Sequence, residues 1–274
     1  GFGETAGQSL VDHPEVDKIA FTGSTEVGKR IMRSASYSLK RVTLELGGKS
    51  PNIILPDADF SKAIPGALNG VMFNQGQVCC AGSRVFIQKK HYDNVVADMA
   101  SHAKSIQQGT GLDPNTQIGP LVSEEQQKRV LGYIAKGITE GAEILAGGAP
   151  PSEEGYFVAP TIFANVEDNM TIAKEEIFGP VISALPYEDL DDVIKRANAS
   201  EYGLAAGVWT SDIANAHYIA NKLRAGTVWV NCYNAFDAAS PFGGYKQSGI
   251  GREMGSYALN NYTEVKSVWI NLNR

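Results

Sequence analysis

The sequence predicts an α/β fold, and three observations carry that expectation. Short apolar segments rich in Val, Ile, Leu and Phe alternate along the chain with longer segments of helical period. The 274 residues are 43% hydrophobic and 20% charged, an ordinary globular composition with length for about two domains. The 29 glycines fall in short motifs and not in a low-complexity linker, so they read as turns and close backbone approaches.

Taken in order, Val16 to Thr22 reads as a strand that turns at Gly23-Ser24 into a helix from Thr25 to about Ser36. Val42 to Leu46 and Asn52 to Leu55 are short apolar strands flanking the turn-rich joint Gly47-Gly48-Lys49-Ser50-Pro51. A helix fills much of Phe60 to Asn74, Ser83 to Gln88 is a strand, and helices follow near His91 to Ile106 and Ser123 to Glu140. Tyr156 to Phe163 reads as extended, Leu190 to Ala199 as helix, Ala205 to Thr210 as strand and Asp212 to Leu223 as helix. Gly226 to Asn231 is a strong strand, and the tail Tyr262 to Leu272 alternates apolar and polar residues as an exposed strand would, inviting pairing with another subunit.

Bulk charge narrows the partners. A net charge of −6 argues against a nucleic-acid backbone or an anionic membrane as main partner. No apolar run approaches the roughly 18 residues of a membrane span. The three cysteines, Cys79, Cys80 and Cys232, have no metal-ligand spacing and are too few for a disulfide scaffold. A reducing compartment is expected, hence the cytoplasm. The four histidines stand singly at 13, 91, 102 and 217, so no zinc site and no Cys-His pair emerges. The chain opens without Met on Gly1-Phe2-Gly3-Glu4, which reads as the middle of a loop and suggests a piece of a longer protein.

Three segments could carry chemistry. In Phe73-Asn74-Gln75-Gly76-Gln77-Val78-Cys79-Cys80-Ala81-Gly82-Ser83, a thiol flanked by glycines could attack a carbonyl and offer backbone N–H groups to the resulting oxyanion. The alternative is a pair of small buried thiols. In Val42-Thr43-Leu44-Glu45-Leu46, Glu45 is a lone carboxylate in an apolar strand. Burial would make it a general base near neutral pH, whereas a strand-end Glu turned to water or paired with Lys49 would be inert. At Gly23-Ser24-Thr25 a helix start could meet a phosphate, or Ser24 could be a plain N-cap. Two further segments, Glu175-Glu176-Ile177-Phe178-Gly179-Pro180 and Ser240 to Gly249, mix aromatic residues with Gly and Pro as loops over a ligand do. The residues alone leave each pair of readings open.

Together the Glu45 motif Leu44 to Pro51, the Cys79 motif, Glu176-Ile177-Phe178-Gly179-Pro180 and Pro241-Phe242-Gly243-Gly244-Tyr245-Lys246-Gln247-Ser248-Gly249 resemble the aldehyde dehydrogenase superfamily. The resemblance runs essentially the whole chain and is nearest to the broad-specificity members. It implies a catalytic domain built on an open, mostly parallel twisted sheet with helices on both faces, plus a remnant of a Rossmann-like cofactor domain. It divides the chain into residues 1–46 as that remnant, 47–247 as the catalytic domain and 248–274 as a return segment and oligomerisation strand.

By the same resemblance Cys79 is the nucleophile and Glu45 the base that activates water to hydrolyse a Cys79 thioester. Glu176 binds the nicotinamide ribose with Phe178 beside it, and Gly23 with Ser24 meets the pyrophosphate. Phe73, Val78, Asn234, Phe236 and Phe242 line the aldehyde tunnel. The cofactor implied is NAD or NADP, with NAD favoured; the partner is a second copy of the chain in a dimer or tetramer, and no metal is expected. Family members have about twice this length, so the chain alone is expected to have little or no activity. Two alternatives are carried: a CoA-acylating relative, which would not need Glu45, and a non-catalytic structural protein on the same fold.

Overall fold

The structure, a computed structural model, describes residues 1–151 and 154–272. Its elements run α1 (Gln8–Asp12), β1 (Lys18–Thr22), α2 (Thr25–Ala35), β2 (Arg41–Glu45), β3 (Pro51–Ile54), α3 (Phe60–Met72), β4 (Arg84–Gln88), α4 (Tyr92–Ser105), α5 (Glu124–Thr139) and β5 (Glu143–Ala146). They continue with β6 (Thr161–Ala164), α6 (Thr171–Lys174), β7 (Val181–Tyr187), α7 (Leu190–Asn198), β8 (Ala205–Trp209), α8 (Ile213–Lys222), β9 (Thr227–Val230) and β10 (Gly249–Ile250).

Local chemistry explains where the helices begin. Ser24, Ser123, Asp189 and Asp212 each cap a helix by accepting a backbone N–H of its first turn, at α2, α5, α7 and α8 respectively. The strands are short apolar runs. In β3 and β4 every residue from Pro51 to Ile54 and from Arg84 to Ile87 is buried, as strands covered on both faces require.

Seven strands form one sheet in the order β5-β6-β7-β4-β3-β8-β9, parallel except for β5, which runs antiparallel on the edge. Successive residues of β3 serve opposite cores. Ile53 joins α5, α6, α7 and α8 on one face, and Ile54 joins α3 and α4 on the other. The predicted α/β class and its mostly parallel sheet with helices on both faces are therefore as expected. A smaller sheet places β2 between β1, which is parallel to it, and β10, which returns antiparallel.

This topology positions the site. Strands β7, β4 and β3 are adjacent and parallel, so the loops entering them emerge on the same side of the sheet. Glu176 lies in the loop before β7, Cys79 in the loop before β4, and Glu45 ends β2 just before the joint into β3.

Some expectations need correction. Of the segment 156–163 only the part from Thr161 is strand, within β6; residues 156–160 make no strand pairing. Strands β5 and β7 escaped the sequence reading. Strand β7 contains Pro186, and β5 is a short four-residue edge strand bearing Glu143. The tail from Thr263 to Leu272 forms no strand within its own chain, since no edge of either sheet meets it.

Candidate active site

The site is assembled on the joint from β2 to β3. Glu45 is 7% exposed and closes strand β2, where its carbonyl accepts the N–H of Gly23 at 3.0 Å. Leu46 N–H then donates to Ser248 O at 2.9 Å, which ties the returning segment to the same joint. The Glu45 carboxyl is pushed up to about 8, first by burial and then by the negative charge it would share with Cys79 and Glu253, with Arg252 opposing. Its Oε2 has no hydrogen-bond partner, and neither has Lys49 Nζ, so the surface pairing of Glu45 with Lys49 does not occur.

Cys79 is half-buried and near enough for its charge to be felt at this carboxylate. Its thiol is held below the usual thiol range, chiefly by the neighbouring Cys80 side chain; the N–H groups of Cys80 and Cys79 help, while burial and Glu176 oppose. Cys80 is correspondingly pushed up and is 1% exposed, so it is inert. The neighbouring loop is anchored from below. Tyr233 donates its hydroxyl to Cys80 O at 2.7 Å, and Gly82 N–H donates to Gly70 O at 3.2 Å.

Glu176 closes a third side. Its Oε1 accepts the Gly48 N–H at 3.2 Å. Its Oε2 occupies the place a side chain on Gly47 would take, and a Cβ on Gly48 would stand 2.6 Å from Cys79 O. Only glycines allow both approaches, which accounts for the Gly-Gly pair. Burial raises the Glu176 carboxyl, and the Gly48 N–H, Lys49 and Arg129 lower it again. Phe178, two residues on, adopts a left-handed backbone with φ of 59°, and its carbonyl is held by Gln126 Nε2 at 2.8 Å.

The predicted tunnel residues divide. Val78, Cys79 and Phe242 pack against a cluster of Cys80, Leu204, Ala205, Trp229 and Tyr233. Phe236 meets Phe242 edge-on at 5.4 Å between centroids, and Asn234 Oδ1 accepts from Cys80 Sγ at 3.6 Å. Phe73 is different. It is 57% exposed and borders a separate groove with Pro65, Leu68, Met72, His102 and Ile106.

Gly23 and Ser24 stand at the start of α2, exposed, and Ser24 Oγ accepts Val27 N–H at 3.3 Å as a plain N-cap. Among the described residues no group of His, Cys, Asp and Glu is arranged to hold a metal, and no helix is long and apolar enough to cross a membrane. Sequence reasoning missed Tyr233 and passed over Lys49 except as a surface ion-pair partner for Glu45. A signal was present for Lys49, a charge between Gly-Gly and an apolar strand, but none marked Tyr233.

A carboxyl pushed up to about 8 and a thiol held below its usual range thus lie near enough for each to feel the other's charge. The sequence pattern of the aldehyde dehydrogenase family matches residues 1–268, and the chain belongs to that family. It is 74% identical over 272 residues to the Bacillus subtilis protein DhaS, covering 99% of this chain and 55% of that protein. The Homo sapiens mitochondrial aldehyde dehydrogenase is 55% identical over 271 residues, 98% of this chain and 52% of that protein. A solved Bacillus cereus aldehyde dehydrogenase in complex with NAD+ superimposes with a TM-score of 0.98 at 60% identity, over 100% of this chain and 56% of the other. The chain thus spans about half the length of the curated relatives it matches.

Proposed function

We propose that this chain carries the thiol centre of an NAD(P)-dependent aldehyde dehydrogenase that converts an aldehyde to the carboxylic acid. The observation that carries this reading is the Gly47-Gly48 joint, which follows Glu45 and Leu46 in the chain and packs closely against both the Glu176 carboxylate and the Cys79 backbone. Cys79 Sγ adds to the carbonyl carbon, forming a C–S bond and leaving an oxyanion within reach of backbone N–H groups. A bound nicotinamide would accept the hydride that leaves this thiohemiacetal, and the product on Cys79 is a thioester. Glu45 takes a proton from water, the hydroxide adds to the thioester, the C–S bond breaks, and the acid leaves with Cys79 returned as thiolate.

The chain's own residues fit such a cofactor. Glu176 is a partly buried carboxylate with one oxygen on the Gly48 N–H and acceptor capacity to spare, suited to ribose hydroxyls, and Phe178 is held two residues on by Gln126. Gly23 and Ser24 offer an exposed helix start for a pyrophosphate. The similarity to a structure holding NAD+ favours NAD over NADP. Val78, Asn234, Phe236 and Phe242 would flank the aldehyde, and Phe73 is proposed with them from its motif, although it borders a different groove. The position of Glu45 beside Cys79 supports water over CoA as the acyl acceptor, and the lowered Cys79 thiol supports an enzyme over a structural protein.

Two further parts of the reading concern the whole protein. The tail exposes Val265, Val268, Trp269, Ile270 and Leu272, which supports strand pairing with a second copy in a dimer or tetramer. All three cysteines are free, in keeping with a reducing compartment such as the cytoplasm. Because the matched relatives are about twice as long, turnover by these 274 residues alone should be weak.

An activated ester tests the centre without cofactor. With p-nitrophenyl acetate, Cys79 should be acetylated with release of p-nitrophenol, and Glu45→Gln should trap the acetyl thioester for detection by mass spectrometry. Acetylation of Cys80 or Cys232 in place of Cys79, or equal deacylation in Glu45→Gln, would overturn the reading.

A further inference from the structure

Cys80 follows Cys79 in the chain and is a second thiol that the proposed chemistry does not use. Two adjacent residues of the loop after β9 hold it. Tyr233 donates its hydroxyl to Cys80 O at 2.7 Å, and Asn234 Oδ1 accepts from Cys80 Sγ at 3.6 Å. The next residue is pinned as well, since Trp229 Nε1 donates to Ala235 O at 2.8 Å. Cys80 is therefore gripped at both its carbonyl and its thiol by one loop, and it is buried there.

Asn234 has a left-handed backbone with φ of 56°, which Asn adopts more readily than most side chains and glycine more readily still. The backbone alone would accept glycine, so the amide serves another purpose. Its Nδ2 is buried with no partner, which is a cost, and its bonding lies at Oδ1, on the Cys80 thiol. A thiol has one proton to donate. Given to Asn234, that proton is not given to the Cys79 sulfur one residue away. Other donors to that sulfur are few. Val78, Cys79 and Phe242 pack against Cys80, Leu204, Ala205, Trp229 and Tyr233. The ionisable groups whose charge reaches the two thiols are Glu45, Glu176 and the Tyr233 phenol, and none of these is a cation. Since the Cys80 side chain favours the Cys79 thiolate, any change in how the Cys80 proton is shared is read at Cys79.

We propose that Asn234 is a positioning residue whose amide oxygen engages the Cys80 proton, which withholds Cys80 from reaction and limits how much of that proton Cys79 receives. The part of this statement that makes Cys79 the nucleophile rests on the reading above. The hold of Asn234 on Cys80 does not.

Raman spectroscopy of the S–H stretch reads the hold directly. The Cys80 band, identified by its loss in Cys80→Ala, should lie at the lowered frequency of a donating thiol and stay there in Cys79→Ala. A band at the free-thiol frequency, or one that moves when the Cys79 sulfur is removed, overturns the proposal. The pH profile of Cys79 alkylation by iodoacetamide reads the consequence. Asn234→Gly keeps the backbone and removes the amide, so the Cys79 midpoint should fall by about 1 pH unit. Asn234→Asp keeps an acceptor oxygen and should show no fall. In a Cys80→Ala background, Asn234→Gly should change nothing. An unchanged or raised midpoint in Asn234→Gly, a fall in Asn234→Asp, or an equal fall without Cys80 overturns the proposal. If Asn234→Gly fails to fold by circular dichroism, the Raman band decides alone. The nucleophile is judged separately by acetylation with p-nitrophenyl acetate. If Cys79 is not acetylated, that reading fails while the Cys80 band still judges the hold.

Discussion

The hydroxyl of Tyr233 donates to the carbonyl of Cys80 at 2.7 Å, which fastens the loop that follows strand β9 beneath the loop that presents Cys79. Tyr233 is buried, and its ring also packs against Trp229 at 4.7 Å between centroids. Tyr233→Phe keeps the ring and strands the carbonyl. The expected cost is about 1–2 kcal/mol of stability, read by urea denaturation, together with slower alkylation of Cys79. A variant with unchanged stability and unchanged Cys79 rate would show that the bond holds nothing.

Thiol reactivity should be ordered by environment. Cys79 has the lowered thiol, Cys80 is buried and raised, and Cys232 is exposed. Limiting iodoacetamide near neutral pH should label Cys79 before Cys80, with Cys80 protected until the chain unfolds. Peptide mapping by mass spectrometry checks the order. Early labelling of Cys80 would contradict its burial and its raised thiol.

Glu45 makes stability depend on pH in a stated direction. Its folded carboxyl keeps a proton up to about 8, whereas in the unfolded chain it releases it near the usual 4.5. The folded state therefore binds the proton more tightly, and the stability linked to this group is full below the lower value and declines as pH rises toward the upper one. The slope approaches about 1.4 kcal/mol per pH unit inside that window. Glu45→Gln should flatten the decline and be the more stable protein at the alkaline end. Parallel denaturation curves for the two proteins across the window would refute the assignment.

The two joint glycines should fail in different ways. A Cβ on Gly47 meets the flexible end of Glu176, so Gly47→Ala should fold with little loss while displacing the carboxylate and lowering NAD affinity. A Cβ on Gly48 meets the backbone oxygen of Cys79 at 2.6 Å, which cannot swing aside. Gly48→Ala should cost about 1–3 kcal/mol and slow Cys79 alkylation as well. Thermal melts with thiol kinetics separate the two outcomes, and identical behaviour of both variants would count against the geometry.

Much of the fold was legible because helix caps and apolar periodicity are local. Ser24, Ser123 and Asp212 mark helix starts in the sequence and cap them in the structure. Strand β7 was not legible, since its proline and its lack of alternation give no strand signal and its register comes from β4 and β6. The apolar tail reads as a strand from its own alternation, but a strand needs a partner, and no strand of this chain pairs with its described residues.

The sequence by itself determined the α/β class, the motifs about Glu45, Cys79 and Glu176, and the Gly-Gly joint between two of the strands. Only the tertiary structure decided that Phe73 is exposed beside a groove with Pro65 and His102, that Ser24 is engaged as a cap, and that Lys49 is buried instead of paired with Glu45. The physical reason is distance along the chain. Gly48 and Glu176 are 128 residues apart, and Tyr233 and Cys80 are 153 apart. Such contacts, and the burial that shifts the carboxyls and thiols, exist only once the sheet has formed and its loops have packed against one another.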